Sequence, residues 1–250
     1  MEIKNQIILI TGANRGIGHA YAEEFLKADA RKIYLGVRDP ETVREFAEKH
    51  KDRVEILRLD LTSPADIRAA AEKAKDVTVL VSNAGVLEAG DLLDKQVIER
   101  SRREMEINYF GPLALLREFA PVLRGNGGGA FVGVSSIAGL LPFPGLASYT
   151  CSKAAMHFLI MQARTELALQ NTKVFGVYPG PVDTEMARDI HMPKAAPRDV
   201  ALETIRGLRE GHEDILPDQY ARESYELFRK DPKELERKLR RDYLEMMKAA

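Results

Sequence analysis

The stretch ILITGANRGIGHAYA, residues 8–22, joins an apolar run to an amphipathic segment through three closely spaced glycines. The apolar run predicts a buried strand, and the segment after it predicts a helix. Gly12 suits a tight turn, Gly16 lets the backbone approach a phosphate, and Gly18 permits close packing of helix on sheet. Free N–H groups at the start of such a helix bind pyrophosphate. The stretch therefore predicts a dinucleotide-binding turn.

The same alternation of short apolar runs and helical stretches continues through most of the chain. Strands are predicted at 6–10, 32–37, 54–59, 77–81, 130–135, 173–178 and near 214–217. Helices are predicted at about 16–28, 40–50, 64–75, 95–124, 149–170 and 197–210. Strands apolar on both faces suit a parallel sheet that is covered on both sides. We expect an α/β, Rossmann-like, doubly wound parallel sheet of about seven strands with helices on both faces.

No linker or repeat divides this pattern, so residues 1–218 are expected to form one dinucleotide-binding and catalytic domain. Residues 219–250 are predicted to be a charged helical C-terminal extension of the same domain, broken near Asp231-Pro232. Its apolar residues recur at helical spacing, which favours a stripe packed on the protein body over membrane or partner-peptide binding. The stripe is Leu235, Leu239, Tyr243 and Met246.

Composition sets limits on partners and compartment. The 37 basic and 38 acidic residues leave a formal charge of −1, which gives no electrostatic case for nucleic acid or an anionic membrane as a partner. The only cysteine, Cys151, excludes an internal disulfide and is expected to pack within the fold. The first apolar run, IILI, is too short for a signal peptide or a spanning helix, so we expect a cytoplasmic protein.

A second informative stretch is SYTCSKAAM, residues 148–156, which places Tyr149 four residues before Lys153. On a helix these two side chains share one face, which by itself is more often a packed or solvated face than a catalytic one.

Further motifs decide between these alternatives. They are Thr11-Gly12-x-x-x-Gly16-x-Gly18, Asp60-Leu61, Asn83-Ala84-Gly85, Asn108, Ser136, Tyr149-x-x-x-Lys153, and Pro179-Gly180 with Thr184. In order and spacing, across residues 7 to about 186, this set resembles the short-chain dehydrogenase/reductase family. The resemblance implies an NADP(H)- or NAD(H)-dependent oxidoreductase.

The resemblance also implies the site residues. The catalytic set is Ser136, Tyr149, Lys153 and Asn108, with Ser135 as the less favoured neighbour of Ser136, and Asn108 would interrupt its helix and hold a relay water. The cofactor-binding set is Thr11, Gly12, Asn14, Arg15, Gly16, Ile17, Gly18, Arg38, Asp60, Leu61, Asn83, Ala84, Gly85, Tyr149, Lys153, Pro179, Gly180, Val182 and Thr184.

Cofactor choice depends on the end of the second strand. An NAD-selective enzyme usually has an acidic residue there, which binds the ribose 2′-hydroxyl. The aligned residue is Val37, followed by Arg38, and Arg15 lies in the glycine loop. Two guanidinium groups suit a 2′-phosphate, whereas Asp39 is better explained as a helix cap. NADP(H) is therefore expected in preference to NAD(H).

In this setting Tyr149 is expected to be the acid/base and Lys153 the charge that favours its phenolate. No metal is expected, because His157 and His191 lack further ligands at useful spacing and suit packing or lid roles. The expected substrate pocket is apolar and consists of Leu87, Leu140, Pro142, Phe143, Leu146, Met186, Ile190 and Met192. The expected activity is that of a carbonyl reductase or alcohol dehydrogenase acting on a fairly apolar small molecule.

Two alternatives remain open at this point. One is a reductase of 3-oxoacyl thioesters, for which Arg188 and Lys194 are the candidate docking cations. The other is a regulator that binds NADP(H) without turnover, although such a protein would not need an acid–base set.

The chain is expected to form a homodimer through two long helices. Members of the family often pair through the helices that correspond to 95–124 and 149–170. The apolar candidates for that contact are Leu113, Leu116, Phe119, Phe158 and Met161. The charged extension departs from the usual carboxyl end of family tetramers, so a dimer is expected instead, with the extension packed on the body or across the dimer.

Overall fold

Seven parallel strands form the centre of the computed structural model, which describes residues 1–249 except the side chains of residues 246, 247 and 249. The strands are β1 (Ile7–Thr11), β2 (Lys32–Val37), β3 (Val54–Arg58), β4 (Val79–Ser82), β5 (Ala130–Val134), β6 (Lys173–Val177) and β7 (Asp214–Ile215). All seven lie within two residues of their predicted positions, because each is a short apolar run bounded by polar residues or glycine.

The strand order in the sheet is β3-β2-β1-β4-β5-β6-β7. The chain winds outward from β1 in one direction and then returns to continue from β4 in the other. The predicted α/β, doubly wound parallel sheet is confirmed. In such a sheet, the crevice at the carboxyl ends of the two central strands is where ligands bind. Here those strands are β1 and β4, which pair with Ile8 opposite Val79 and Ile10 opposite Val81.

Nine helices surround the sheet in the described part of the chain. They are α1 (Gly16–Lys27), α2 (Arg44–Lys49), α3 (Pro64–Lys73), α4 (Val97–Met105), α5 (Gly111–Gly125), α6 (Ala147–Leu167), α7 (Pro197–Glu210), α8 (Gln219–Lys230) and α9 (Pro232–Ala249). Two predicted helices are subdivided. The segment 40–50 begins as a 3₁₀ turn, Pro40–Val43, and Asp39 caps it by accepting a hydrogen bond from the backbone N–H of Glu41. The segment 95–124 is interrupted by a π-helical turn, Glu106–Phe110, that contains Asn108.

Each face of the sheet has its own hydrophobic core. On one face, Ile8, Ile10 and their neighbours pack against α1 and α7, which contribute Phe25 and Ile205. On the other face, Leu9 and its neighbours pack against α3, α5 and α6. Successive strand residues point to opposite faces, so a strand that is apolar at every position must be covered on both.

The two C-terminal helices pack on the segment that follows β5. Leu235 is buried against Ile137 and Leu141, and Leu239 packs at the edge of the same cluster. At the far end, the Tyr243 hydroxyl donates to a carboxylate oxygen of Asp91 at 2.8 Å. The helix break falls at Asp231, between α8 and α9, where the sequence predicts it. The side chain of Met246, the last member of the predicted stripe, lies outside the described residues.

Two further features bear on the sequence predictions. Cys151 is exposed, so the packing role expected for it is wrong. Among the described helices, none combines the length and the apolar character needed to cross a membrane.

The contact between α1 and the turn after β1 depends on Gly18. A Cβ atom at this position would lie 2.1 Å from the backbone oxygen of Gly12, a distance that no relaxation of a side chain can relieve. The absence of a side chain at residue 18 is therefore a steric requirement for seating this helix on the sheet.

We predict that Gly18→Ala destabilises the protein by about 2–4 kcal/mol, because the clash is with backbone. Gly125→Ala is the matched control, since Gly125 ends α5 and a Cβ there meets nothing within 4 Å. That control should be neutral or stabilising by up to about 1 kcal/mol. Urea denaturation of both variants measures the difference, and equal stabilities would contradict the steric argument.

Candidate active site

Hydrogen bonds to one threonine, Thr11, join the ends of β1 and β4 at the crevice between them. The Thr11 hydroxyl oxygen accepts from the backbone N–H groups of Asn83 and Ala84, each at 3.0 Å. In return, the Asn83 side chain donates to the Thr11 carbonyl oxygen at 2.9 Å. These bonds fix the distance between the two strand ends, so Thr11 and Asn83 shape the crevice from behind.

A cavity of about 900 Å³ opens at this edge of the sheet. Most residues that the sequence predicts to bind cofactor contribute to its wall: Gly12, Asn14, Arg15, Gly16, Ile17, Arg38, Asp60, Leu61, Asn83, Ala84, Gly85, Tyr149, Lys153, Pro179, Gly180, Val182 and Thr184. Thr11 and Gly18 lie behind the wall. The cavity is thus continuous from the glycine loop to the Tyr149–Lys153 pair.

The glycine loop has the backbone that a phosphate cradle requires. Gly12 has φ +67° and Gly16 has φ +55°, a region that residues with side chains rarely adopt. A Cβ at Gly16 would lie 2.9 Å from the Thr184 side chain, so the loop closely approaches the segment after β6. The residues present therefore fit a dinucleotide whose pyrophosphate meets the start of α1.

Tyr149 and Lys153 lie one turn apart on α6, and both are buried. The Lys153 ammonium nitrogen is 5.7 Å from the centre of the Tyr149 ring. It donates a hydrogen bond to the carbonyl oxygen of Val134, at the end of β5, at 3.2 Å. Burial raises the pKa of Tyr149 to about 12 and lowers the pKa of Lys153 to about 8. The phenol is therefore a proton donor, and the Lys153 ammonium gives up its proton more readily than an exposed lysine does.

The structure separates the two neighbouring serines. The Ser135 hydroxyl donates to the Lys153 carbonyl oxygen at 3.0 Å and so supports α6. The Ser136 hydroxyl lies beside the Tyr149 phenol. Burial raises the pKa of Tyr149, and hydrogen bonding to Ser136 lowers it again in part. Both serines line the cavity, but only Ser136 acts on the Tyr149 phenol. The preference for Ser136 that the family resemblance implies stays a prediction.

Asn108 lies behind the cavity, in the π-helical turn. Its side-chain oxygen accepts from the Val86 N–H at 2.9 Å, and its amide donates to the Val86 carbonyl oxygen and the Ser152 hydroxyl, both at 2.9 Å. These bonds use the side chain to tie the loop after β4 to α6. A Cβ at Gly85 would lie 3.3 Å from the Lys153 nitrogen, so that glycine makes room for the ammonium group.

Two arginines lie at the far end of the cavity. Arg38, after β2, and Arg15, before α1, both line it, and neither forms an ion pair with a carboxylate in the described part of the chain. Val37, Asp39 and Thr42 line the same end. The carboxylate of Asp60 accepts hydrogen bonds from the backbone N–H and the hydroxyl of Thr62. The hydrogen bond from the Thr62 N–H is the main reason that the pKa of Asp60 is lowered.

The expected apolar pocket is partly corrected. Leu87, Phe143, Leu146, Met186, Ile190 and Met192 line the cavity as expected. Leu140 does not, because it packs against the C-terminal helices. Pro142 is also not part of the wall, since its side chain is exposed to solvent.

One aromatic residue was not anticipated in the wall. Tyr220, from α8, lines the cavity, and its ring centre lies 6.4 Å from that of Phe143. His191 also lines the cavity, and the lid role expected for it stays a prediction. His157 packs elsewhere, with its Nδ1 2.8 Å from the Tyr178 hydroxyl. Nothing in the spacing of Tyr220 indicates a site residue, because the fold alone brings α8 to the cavity.

Comparison with known proteins agrees with this arrangement. Residues 6–195 match the family model described as short chain dehydrogenase. Estradiol 17-beta-dehydrogenase 2 of Rattus norvegicus is 32% identical over 197 residues, which cover 74% of this chain and 50% of that protein. The chain thus spans about half the length of this relative.

Solved structures extend the similarity to the C-terminal helices. A short chain dehydrogenase from Burkholderia cenocepacia in complex with NADP is 36% identical, with a TM-score of 0.91 over 96% of this chain and 99% of that one. A short chain dehydrogenase/reductase from Burkholderia phymatum in complex with NAD is 23% identical, with a TM-score of 0.84 over 93% of this chain and 96% of that one. The second likeness shows the fold alone.

Proposed function

The chain belongs to the short-chain dehydrogenase/reductase family. We propose that it is a nicotinamide-dependent oxidoreductase that uses NADP(H) to interconvert a carbonyl group and a secondary alcohol on a fairly apolar small molecule. The observation that carries this proposal is the buried set of Ser136, Tyr149 and Lys153 at the inner end of a cavity that begins at the glycine loop. A nicotinamide held in this cavity would supply or accept the hydride.

In this proposal Tyr149 delivers a proton to the oxygen that becomes the alcohol. A buried phenol is a strong enough donor for an alkoxide but not for water, so its proton is kept until a carbonyl is reduced. Ser136 binds the same substrate oxygen, because its hydroxyl lies beside the phenol and faces the cavity. Lys153 places a positive charge near the ring, which favours phenolate in the reverse direction.

Asn108 has a supporting role in the same scheme. Its side chain is fully used in holding Val86 and Ser152, so it fixes the loop after β4 and α6 at the spacing that Lys153 needs. The π-helical turn leaves backbone carbonyl groups outside the regular helical pattern. One of these is the group that we propose to hold the relay water between Lys153 and solvent.

The substrate end of the cavity favours apolar molecules. Its wall is formed by Leu87, Phe143, Leu146, Met186, Ile190, Met192 and Tyr220. A ring ketone or ring alcohol fits this composition better than a sugar or a carboxylate. The rat relative is named as a dehydrogenase of estradiol, which is itself an apolar ring alcohol.

A thioester-linked 3-oxoacyl chain is the less favoured substrate. Such a carrier group would need free cations at the cavity mouth. Arg188 forms an ion pair with Glu185 on the same turn, and the Lys194 ammonium donates to the Arg188 backbone oxygen at 3.5 Å. This order would be reversed if the protein reduced an acyl thioester faster than apolar ring ketones. If it reduced no carbonyl compound at all, the NADP(H)-binding regulator would be favoured instead.

We predict that Tyr149→Phe lowers kcat by at least about 100-fold while NADPH affinity changes little, because only the proton donor is removed. NADPH oxidation with a panel of ring ketones measures the rate, and fluorescence titration measures the affinity. Tyr225→Phe, which removes a hydroxyl from α8, is the control and should keep full activity. Turnover by Tyr149→Phe at a near-normal rate would contradict the assignment.

We also predict tighter binding of NADPH than of NADH, with Arg38→Ala narrowing the difference by about 1–3 kcal/mol, as expected for a lost charge-assisted bond to the 2′-phosphate. Arg44→Ala is the matched control, because Arg44 pairs with Glu41 and does not line the cavity. Calorimetric titration of both cofactors measures the effect. Equal affinities in the unmodified protein would refute the preference.

We also predict a homodimer that pairs through the helices of residues 95–124, which are α4 and α5, and through α6. Leu113, Phe158 and Met161 support it, since Phe158 is 67% exposed and Met161 46% exposed. Leu116 and Phe119, expected at the same contact, are instead buried in the core of their own chain, so they are not available to a partner.

Phe158→Asp should convert the dimer to a monomer in light scattering, because a carboxylate would be buried at the contact. Leu244→Asp, which alters an exposed leucine of α9, should leave the mass unchanged. A tetramer that persists in Phe158→Asp would show that a different surface holds the assembly.

A further inference from the structure

A buried carboxylate lies behind the catalytic pair. Glu104, on α4, has no solvent exposure. One of its carboxylate oxygens accepts from the Glu88 N–H at 2.8 Å, in the loop after β4. The other oxygen has no hydrogen-bond partner among the described residues. A carboxylate in this position is costly to bury, and packing alone does not require it.

The charged groups around Glu104 are divided between the surface and the interior. On the surface, Arg103 bonds to Glu88 at 2.9 Å, and Arg100 pairs with Asp94 at 2.8 Å. In the interior, α4 packs against α6, which carries the buried side chains of Ser148, Tyr149 and Lys153. Lys153 is the only buried cationic side chain of the described chain, so it is the buried positive charge that Glu104 can balance, besides the exposed guanidinium of Arg103.

The negative charge of Glu104 raises the pKa of both Tyr149 and Lys153. Burial is the main cause of each shift, and it raises the pKa of Tyr149 while it lowers the pKa of Lys153. The Glu104 carboxylate adds to the first shift and opposes the second, because a negative charge stabilises any protonated neighbour. Burial also raises the pKa of Glu104 itself, and the Ser148 hydroxyl works against that rise.

We infer that Glu104 is a positioning residue that acts through Tyr149 and Lys153: it is a buried counter-charge that keeps the lysine cationic and the tyrosine a neutral phenol. The site is thereby biased toward proton donation, the step that carbonyl reduction requires. This inference rests on the proposed function, since it assigns a task to the acid–base pair of that reaction.

The test compares Glu104→Gln with Glu99→Gln, which removes the same charge from an exposed position on the same helix. Loss of a negative charge lowers the pKa of both neighbours. Both limbs of the kcat/KM profile for alcohol oxidation should therefore move to lower pH, by roughly half to one unit, in Glu104→Gln alone. Glu104→Asp, which keeps the charge, should restore the original profile.

A second measurement needs no turnover. Ultraviolet difference titration with saturating NADP⁺, using Tyr149→Phe as the reference, follows the ionisation of Tyr149. The phenol should ionise at lower pH in Glu104→Gln than in the unmodified protein. A folded Glu104→Gln whose titration and rate profile both match the unmodified protein would overturn the inference.

Stability provides a check that does not involve the reaction. The pKa of Glu104 is higher in the folded than in the unfolded chain, so the folded form binds this proton more tightly. The resulting contribution of Glu104 to the free energy of unfolding is present at low pH and is lost as pH rises through the pKa of Glu104 in the folded protein. Glu104→Gln should lack this loss, whereas Glu99→Gln should keep it.

The outcomes separate the inference from the function on which it rests. If Tyr149→Phe remains active, the proposed function fails. If Tyr149→Phe is inactive and the profile of Glu104→Gln is unchanged, the proposed function stands and the role of Glu104 is overturned.

Discussion

The hydroxyl of Thr11 joins the ends of the two central strands, and the rest of the site is built from that point. By accepting from two consecutive N–H groups after β4, it sets the width of the crevice where the chain changes direction. The glycine turn starts one residue later, and α1 can be seated there only because Gly18 has no side chain. These constraints hold the two strand ends at a fixed separation and so shape the inner end of the cavity.

Burial then gives ordinary side chains their chemistry. A tyrosine and a lysine four apart on an exposed helix would titrate near their usual values. In α6 they lie below the protein surface, which moves the two pKa values apart, that of Tyr149 up to about 12 and that of Lys153 down to about 8. Burial disfavours both charged forms, and the neighbours Ser136 and Glu104 then adjust the balance. The reactivity of the pair is thus a property of its surroundings as much as of its residue types.

The C-terminal extension shows how tertiary packing corrects a one-dimensional prediction. Leu140 fits the composition of a substrate pocket, but it faces α8 and α9, whose stripe needs an apolar surface to cover. The same packing brings Tyr220 into the cavity wall, although nothing near Tyr220 resembles a site motif. Cys151, Leu116 and Phe119 were assigned to the wrong environment for a related reason: helical periodicity gives a face, but it does not say what that face meets.

The sequence by itself determined the parallel α/β fold, the strand positions, the glycine turn and the order of the catalytic motifs. These follow from local properties: apolar runs, breakers and glycines whose backbone conformation no other residue adopts easily. Only the tertiary structure decided that Tyr220 lines the pocket, that Leu140 packs on the C-terminal helices instead, and that Glu104 lies buried on α4, which packs against α6. Each depends on which side chains distant parts of the chain bring together, and on how much water they exclude. Local sequence patterns indicate neither these long-range contacts nor the burial that they produce.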